Sequence, residues 1–70
     1  MGKRDHRRRR KALQKRIVGL QEMIQEHQQK LAEERAKPHP NARLIAYWEK
    51  EIRVRQKEIE RLQMRLWLLR

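Results

Sequence analysis

The segment KPHPN, Lys37–Asn41, divides this chain of 70 residues into two nearly equal parts. Pro38 disfavours a helical backbone at Lys37, and Pro40 would remove a hydrogen bond from the interior of any helix. Asn41 is a favourable N-cap for a helix that follows it. The sequence therefore predicts a single domain with a flexible basic N-terminus over residues 1–5, a helix over 6–37, a hinge at 38–41 and a second helix over 42–70.

Apolar residues recur on both sides of the hinge at the spacing of coiled-coil heptads. The first helix carries them at Leu13, Ile17, Leu20, Ile24 and Leu31, and the second at Ile45, Trp48, Ile52, Ile59, Leu62, Leu66 and Leu69. We call these two stripes the seams of the helices. Only His27 and Arg55 interrupt the fourteen seam positions, so the pattern favours α-helix over disorder.

A short hinge between two amphipathic helices of similar length predicts an antiparallel hairpin. Facing residues would then have numbers that add up to about 79, which sets Leu20 against Ile59. Two helices alone leave much of each seam open to water, and further apolar residues lie outside the seam of the second helix. These residues form the predicted oligomer or partner interface: Leu44, Tyr47, Val54, Met64, Trp67 and Leu68. The predicted fold is all-α, a coiled-coil-like two-helix hairpin that dimerises into a four-helix bundle.

The positive charge of the chain is concentrated in two segments. Residues 1–16 carry nine basic side chains and one acidic one, and residues 61–70 carry three basic side chains and no acidic one. These two segments account for the whole net charge of +11, because residues 17–60 hold eight basic and eight acidic side chains. In a hairpin both segments lie at the end opposite the hinge, so the predicted rod has a neutral shaft and one strongly basic end.

A dense group of arginines and lysines at one end of a rod is suited to binding phosphates, since guanidinium groups hold phosphate oxygens in a fixed geometry. The sequence therefore predicts a non-enzymatic nucleic-acid-binding protein, for DNA or RNA, with a regulatory or architectural role and little sequence readout. The predicted binding residues are Lys3, Arg4, Arg7, Arg8, Arg9, Arg10, Lys11, Lys15, Arg16, Arg61, Arg65 and Arg70. A solvated tail or a transport signal is the alternative interpretation of the arginine run.

The basic segment that runs into leucine heptads is similar to that of the basic leucine zippers. The chain lacks the asparagine–alanine core with which those basic regions read bases, and Pro38 ends the first helix. The predicted shape also resembles the small helical-hairpin dimers that bind RNA, without a shared sequence motif. Both resemblances imply a nucleic-acid partner.

Other classes of function find less support in the sequence. There is no Cys, no glycine-rich phosphate loop and no Ser-His-Asp set, so we expect no enzyme activity, no metal site and no cofactor. No apolar run approaches the roughly 18 residues of a membrane span. The expected compartment is the cytoplasm, or the nucleus in a eukaryotic or viral setting.

A protein–protein adaptor, or a small subunit of a larger complex, is the alternative function. The segment LQMRLWLLR, Leu62–Arg70, is apolar almost all round, and a helix of that kind is usually buried. It would dock on an apolar protein surface while the basic end meets an acidic one.

Overall fold

The computed structural model describes the backbone of residues 2–69 and the side chains of residues 7–69. Within that range the chain forms two helices, α1 over Gly2–Arg35 and α2 over Ala42–Leu68. The helix α2 runs back along α1, and together they make a rod with Cα extents of 58 × 14 × 11 Å. The predicted all-helical hairpin is therefore confirmed, while its pairing into a four-helix bundle stays a prediction.

The helix bounds differ from the predicted ones mainly in α1. This helix includes residues 2–5, which the sequence assigned to a separate flexible segment, and it ends at Arg35, two residues before the predicted end. The end comes early because the chain tightens before Pro38: the backbone N–H of Lys37 donates to the carbonyl of Glu34, a three-residue step, at 3.2 Å. The first residue of α2, Ala42, is the predicted one.

Asn41 caps α2 as predicted. Its backbone is extended, with φ −83° and ψ 107°. Its side-chain oxygen accepts hydrogen bonds from the backbone N–H of Arg43 at 3.0 Å and of Leu44 at 3.2 Å. Two of the donors that a helix start leaves unpaired are thereby satisfied, and the direction of α2 is set at its first turn.

Glu34 stabilises the hinge through contacts that the heptad pattern does not predict. The residue is only 5% exposed. It accepts a hydrogen bond from the backbone N–H of Asn41 at 3.0 Å and forms an ion pair with Lys37 at 2.9 Å. The carboxylate of Glu34 therefore ties the end of α1 to the N-cap of α2.

The Glu34 carboxylate makes the stability of the hairpin sensitive to acid. The hydrogen bond from Asn41, and then that from Lys37, lower the pKa of Glu34 below its usual value of 4.5. Its stabilising contribution is therefore complete above that value and is lost as the pH falls through the lowered pKa. We expect Glu34→Gln to have a lower free energy of unfolding than the native chain at neutral pH. The difference between the two free energies should narrow in acid. Urea unfolding between about pH 7 and pH 2 measures both; a gap that stays constant would contradict this role.

The core is a single layer between the two helices. Ile17, Leu20 and Ile24 of α1 pack with Ile59 and Leu62 of α2. Partly buried side chains extend this cluster at both ends: Leu13, Ile52 and Leu66. All eight are seam residues, so the predicted packing of the two seams is confirmed. None of the described side chains is less than 2% exposed, because a two-helix layer has open flanks.

Candidate nucleic-acid interface

The fold brings basic residues from both helices to one groove at the end opposite the hinge. Lys15 and Arg16 line it from α1, and Arg61 and Arg65 line it from α2. The apolar residues Ala12, Leu13 and Leu62 also line it, and its volume is about 700 Å³. We call this feature the basic groove. Four of the predicted binding residues, separated by some 50 positions in the chain, thus lie around one concave surface.

Glu58 is an acidic residue of the basic groove that sequence reasoning missed. The guanidinium of Arg16 donates a hydrogen bond to Oε1 of Glu58 at 2.6 Å. That bond lowers the pKa of Glu58, and the charges of Arg16, Arg55 and Arg61 lower it further. The pair joins α1 to α2 beside the core. It also holds the Arg16 guanidinium at the groove while partly cancelling its charge.

The arginine run lies on α1 beyond the basic groove. Arg7, Arg8, Arg9 and Lys11 are exposed, and Arg10 is half-buried. None of these five forms an ion pair with a carboxylate among residues 7–69. The predicted binding residues Lys3 and Arg4 have side chains outside the described residues, and Arg70 lies outside them entirely. The described part of the run places five positive charges close together on one helix.

A second, apolar groove shows where α2 ends along α1. It is lined by Arg9, Ala12 and Leu13 from α1 and by Arg65, Leu68 and Leu69 from α2, with a volume of about 420 Å³. The last turn of α2 is therefore level with residues 9–13 of α1.

The predicted interface residues fall on different sides of α2. Tyr47, Val54 and Leu68 are exposed and recur every seven residues or a multiple of seven. Met64 and Trp67 are also exposed and line a shallow groove with Glu60 and Gln63. Leu44 is half-buried between these positions and the seam. The structure therefore divides the predicted interface into a heptad stripe, Tyr47, Val54 and Leu68, and a separate pair near the basic end.

The two polar seam residues each keep a buried nitrogen without a hydrogen-bond partner, Nδ1 of His27 and Nε of Arg55. The His27 ring meets the Trp48 ring edge to face, with 4.9 Å between centroids. Lys30 places its ammonium 5.1 Å from the centroid of the same Trp48 ring. Arg55 pairs with Glu51, four residues earlier on the same helix, at 3.4 Å. These contacts account for His27 and Arg55 as packing residues of the shaft.

Two kinds of feature were looked for in the part of the chain that the structure describes, a cluster of metal ligands and a membrane-spanning helix. Among the side chains of residues 7–69, no three His, Cys, Asp or Glu come together in a way that could hold a metal ion. Neither α1 nor α2, within residues 2–69, has a stretch long and apolar enough to cross a membrane.

Comparison with known proteins gives no relative for this chain. No family model matches it, and no curated protein or solved structure matches it either. Its function is therefore inferred from its own residues and their geometry.

Proposed function

We propose that this protein binds nucleic acid, without catalysing a reaction, through the basic end of the hairpin. The observation that carries the proposal is the basic groove, in which Lys15 and Arg16 of α1 meet Arg61 and Arg65 of α2. Cations spaced around a concave surface can contact several phosphates of one backbone at once. The role that fits is regulatory or architectural, in the cytoplasm or wherever the nucleic acid resides.

The distribution of charge supports a polyanionic partner over a general role in solubility. A surface that only needs to stay in water interleaves both signs, and the shaft of this rod does so. At the basic end, like charges are crowded together and repel one another, which costs stability. A polyanion offsets that repulsion and releases its own condensed counterions.

Fluorescence anisotropy across a salt series tests the proposal. Labelled duplex DNA, duplex RNA and single strands are titrated with the protein at several salt concentrations. If about five to eight phosphates are contacted, the logarithm of the association constant for a duplex falls with the logarithm of salt concentration with a slope between about −4.5 and −7. Absence of binding to every nucleic acid at low salt would overturn the proposal.

An adaptor that docks on another protein is the second candidate, and the exposure of Met64 and Trp67 beside the basic end favours it. Aromatic residues and methionine are common at protein interfaces. The two functions differ in which substitutions matter. The adaptor would be supported if changing Met64 or Trp67 abolished binding to a protein partner while changing the arginines of the basic end did not.

We also propose that two copies pair through the heptad stripe. Tyr47 and Val54 are seven residues apart, and Leu68 follows Val54 by fourteen, with Arg61 at the position between them. Apolar residues at heptad spacing are what a further coiled-coil helix packs against. A single hairpin leaves every core residue slightly exposed and the stripe in water. Chains of this size usually need association or a staple to gain stability. An antiparallel pair keeps the two basic ends apart.

Val54→Lys tests the pairing, because Val54 lies in the middle of the stripe and is 48% exposed. We expect the native chain to sediment at twice its mass of 8.8 kDa and the variant at the mass of one chain. Gln29→Lys is the control, since it adds the same charge at an exposed position on α1, away from the stripe. A native chain that sediments as a monomer, or a Val54→Lys chain that stays dimeric, would contradict the pairing.

A further inference from the structure

We propose that Glu58 competes with phosphate for Arg16 and thereby limits the affinity of the basic groove for nucleic acid. This inference rests on the proposed function and names the residue that regulates it. Three observations lead to it: the position of Glu58 among the cations of the groove, the exposure of its pair with Arg16, and the charges that act on its carboxylate.

Glu58 lies in line with the arginines that α2 contributes to the basic groove. It precedes Arg61 by three residues and Arg65 by seven, and residues at this spacing share one face of an α-helix. All three line the groove, and Arg16 lines it from α1. No other acidic residue lines the groove among residues 7–69. A phosphate backbone that contacts these arginines therefore comes close to the Glu58 carboxylate, which repels it.

The pair between Arg16 and Glu58 is open to solvent. The Arg16 side chain is 64% exposed and that of Glu58 is 30% exposed, so an anion can approach the guanidinium while the hairpin stays folded. A hydrogen bond joins them, from Nη2 of Arg16 to Oε1 of Glu58 at 2.6 Å. A phosphate oxygen is the same kind of charged acceptor as a carboxylate oxygen, and exposed ion pairs contribute little to stability. Phosphate can therefore take the place of Glu58 at Arg16.

The Glu58 carboxylate also weakens the attraction of neighbouring cations for phosphate. The hydrogen bond from Arg16 lowers the pKa of Glu58 below its usual value of 4.5, and the charges of Arg16, Arg55 and Arg61 lower it further. The interaction between two charges is reciprocal, so the same carboxylate reduces the positive potential at these three arginines. Because the pKa is low, the carboxylate keeps its charge at neutral pH.

The exchange of partners at Arg16 decides how much this residue adds to binding. When a basic side chain contacts a phosphate, a condensed counterion leaves the nucleic acid, and that release favours binding. Arg16 makes such a contact only by giving up Glu58, whose free carboxylate then attracts a cation from solution. Release and uptake nearly cancel, so Arg16 contributes little net affinity in the native chain.

Glu58→Gln tests the competition with a DNA duplex in the anisotropy assay. The variant keeps the size and the helix propensity of the side chain and removes its charge. We expect the affinity to rise about five- to tenfold at about 0.1 M salt and the salt slope to steepen by about 0.9, the value of one phosphate contact. Glu58→Ala should give a similar rise, and α2 should persist in it because alanine is the best helix former.

The outcomes separate this inference from the proposed function. Unchanged or weaker binding by both Glu58→Gln and Glu58→Ala would overturn the inference and leave nucleic-acid binding standing. Absence of binding by the native chain and by both variants would overturn both.

A second ion pair between the helices provides the matched control. Arg35 and Glu49 pair at 3.3 Å, with side chains that are 57% and 42% exposed. Glu49 is nine residues from Glu58, about 14 Å along α2, which exceeds the Debye length of about 10 Å at 0.1 M salt. Glu49→Gln removes the same charge and one interhelical pair, and we expect it to change the affinity by less than about twofold. An equal rise in Glu49→Gln and Glu58→Gln would mean that net charge alone governs binding, and the competition would be wrong.

A double variant shows whether the effect of Glu58 passes through Arg16. We expect the gain of Glu58→Gln to vanish when Arg16→Ala is added, so that the double variant binds within about twofold of the native chain. The reason is that the freed guanidinium, which supplies the extra phosphate contact, is then missing. A gain that persists without Arg16 would mean that Glu58 acts only by repelling phosphate, and would overturn the competition.

Discussion

Changing Arg7, Arg8, Arg9 and Arg10 together to Ala should lower the affinity for nucleic acid about a thousandfold at about 0.1 M salt. Each phosphate contact contributes a slope of about 0.9 to the dependence of log affinity on log salt. Four lost contacts therefore remove a slope of about 3 to 4, and at a tenth of molar salt that slope corresponds to three to four powers of ten. Alanine is the best helix former, so α1 should persist in the variant.

A matched variant separates the position of the charge from its amount. Changing Arg43, Lys50, Arg53 and Lys57 to Ala removes the same four charges from exposed positions on the shaft. No described carboxylate pairs with any of these four, within residues 7–69. We expect this control to weaken binding only slightly and to leave the salt slope almost unchanged. If both variants lose affinity and slope equally, the protein responds to net charge alone, and the proposed basic interface is wrong.

The sequence predicts the hairpin well because local signals determine it. The prolines stop α1, Asn41 caps α2, and heptads mark the faces that pack. Each signal is a property of a few neighbouring residues, and the structure confirms the seam packing and the cap. The start of α1 at Gly2 is harder to predict. Residues 2–5 carry no apolar repeat that would mark them as part of the helix.

The side chains that the sequence did not single out depend on contacts between distant residues. Glu34 lies outside the seam, and its burial follows only when the chain turns back and presents the N–H of Asn41. Glu58 belongs to the neutral shaft by charge counting, yet the fold sets it against Arg16, 42 positions away in the chain. Counting charges along the chain identifies the two basic segments, and the hairpin brings them to one end. The count does not show that the carboxylate of Glu58 lies beside them.

Leu20→Ala should unfold most of the hairpin and with it the basic groove. Leu20 is 8% exposed and belongs to the core cluster, and removing such a side chain costs about 3 kcal/mol. A single small core rarely supplies more than about 3–5 kcal/mol in total. We expect the helical circular dichroism signal and the urea midpoint to fall sharply at a fixed protein concentration.

The control for Leu20→Ala is Val18→Ala, two residues away on the same helix. Val18 is 51% exposed, so its loss should cost less than about 0.5 kcal/mol. Similar destabilisation by both substitutions would mean that α1 does not pack on α2 through its seam.

Nucleic acid should restore the helicity of the Leu20→Ala variant if the basic groove is part of the binding surface. A ligand that binds only the folded hairpin stabilises it by about 2.7 kcal/mol at a concentration of 100 times the dissociation constant. That nearly offsets the lost core contact, so titration with the nucleic acid should recover most of the helical signal. Binding without recovery would mean that the arginines of α1 act alone. Arg61 and Arg65 would then contribute nothing, and the groove between the helices would not be the interface.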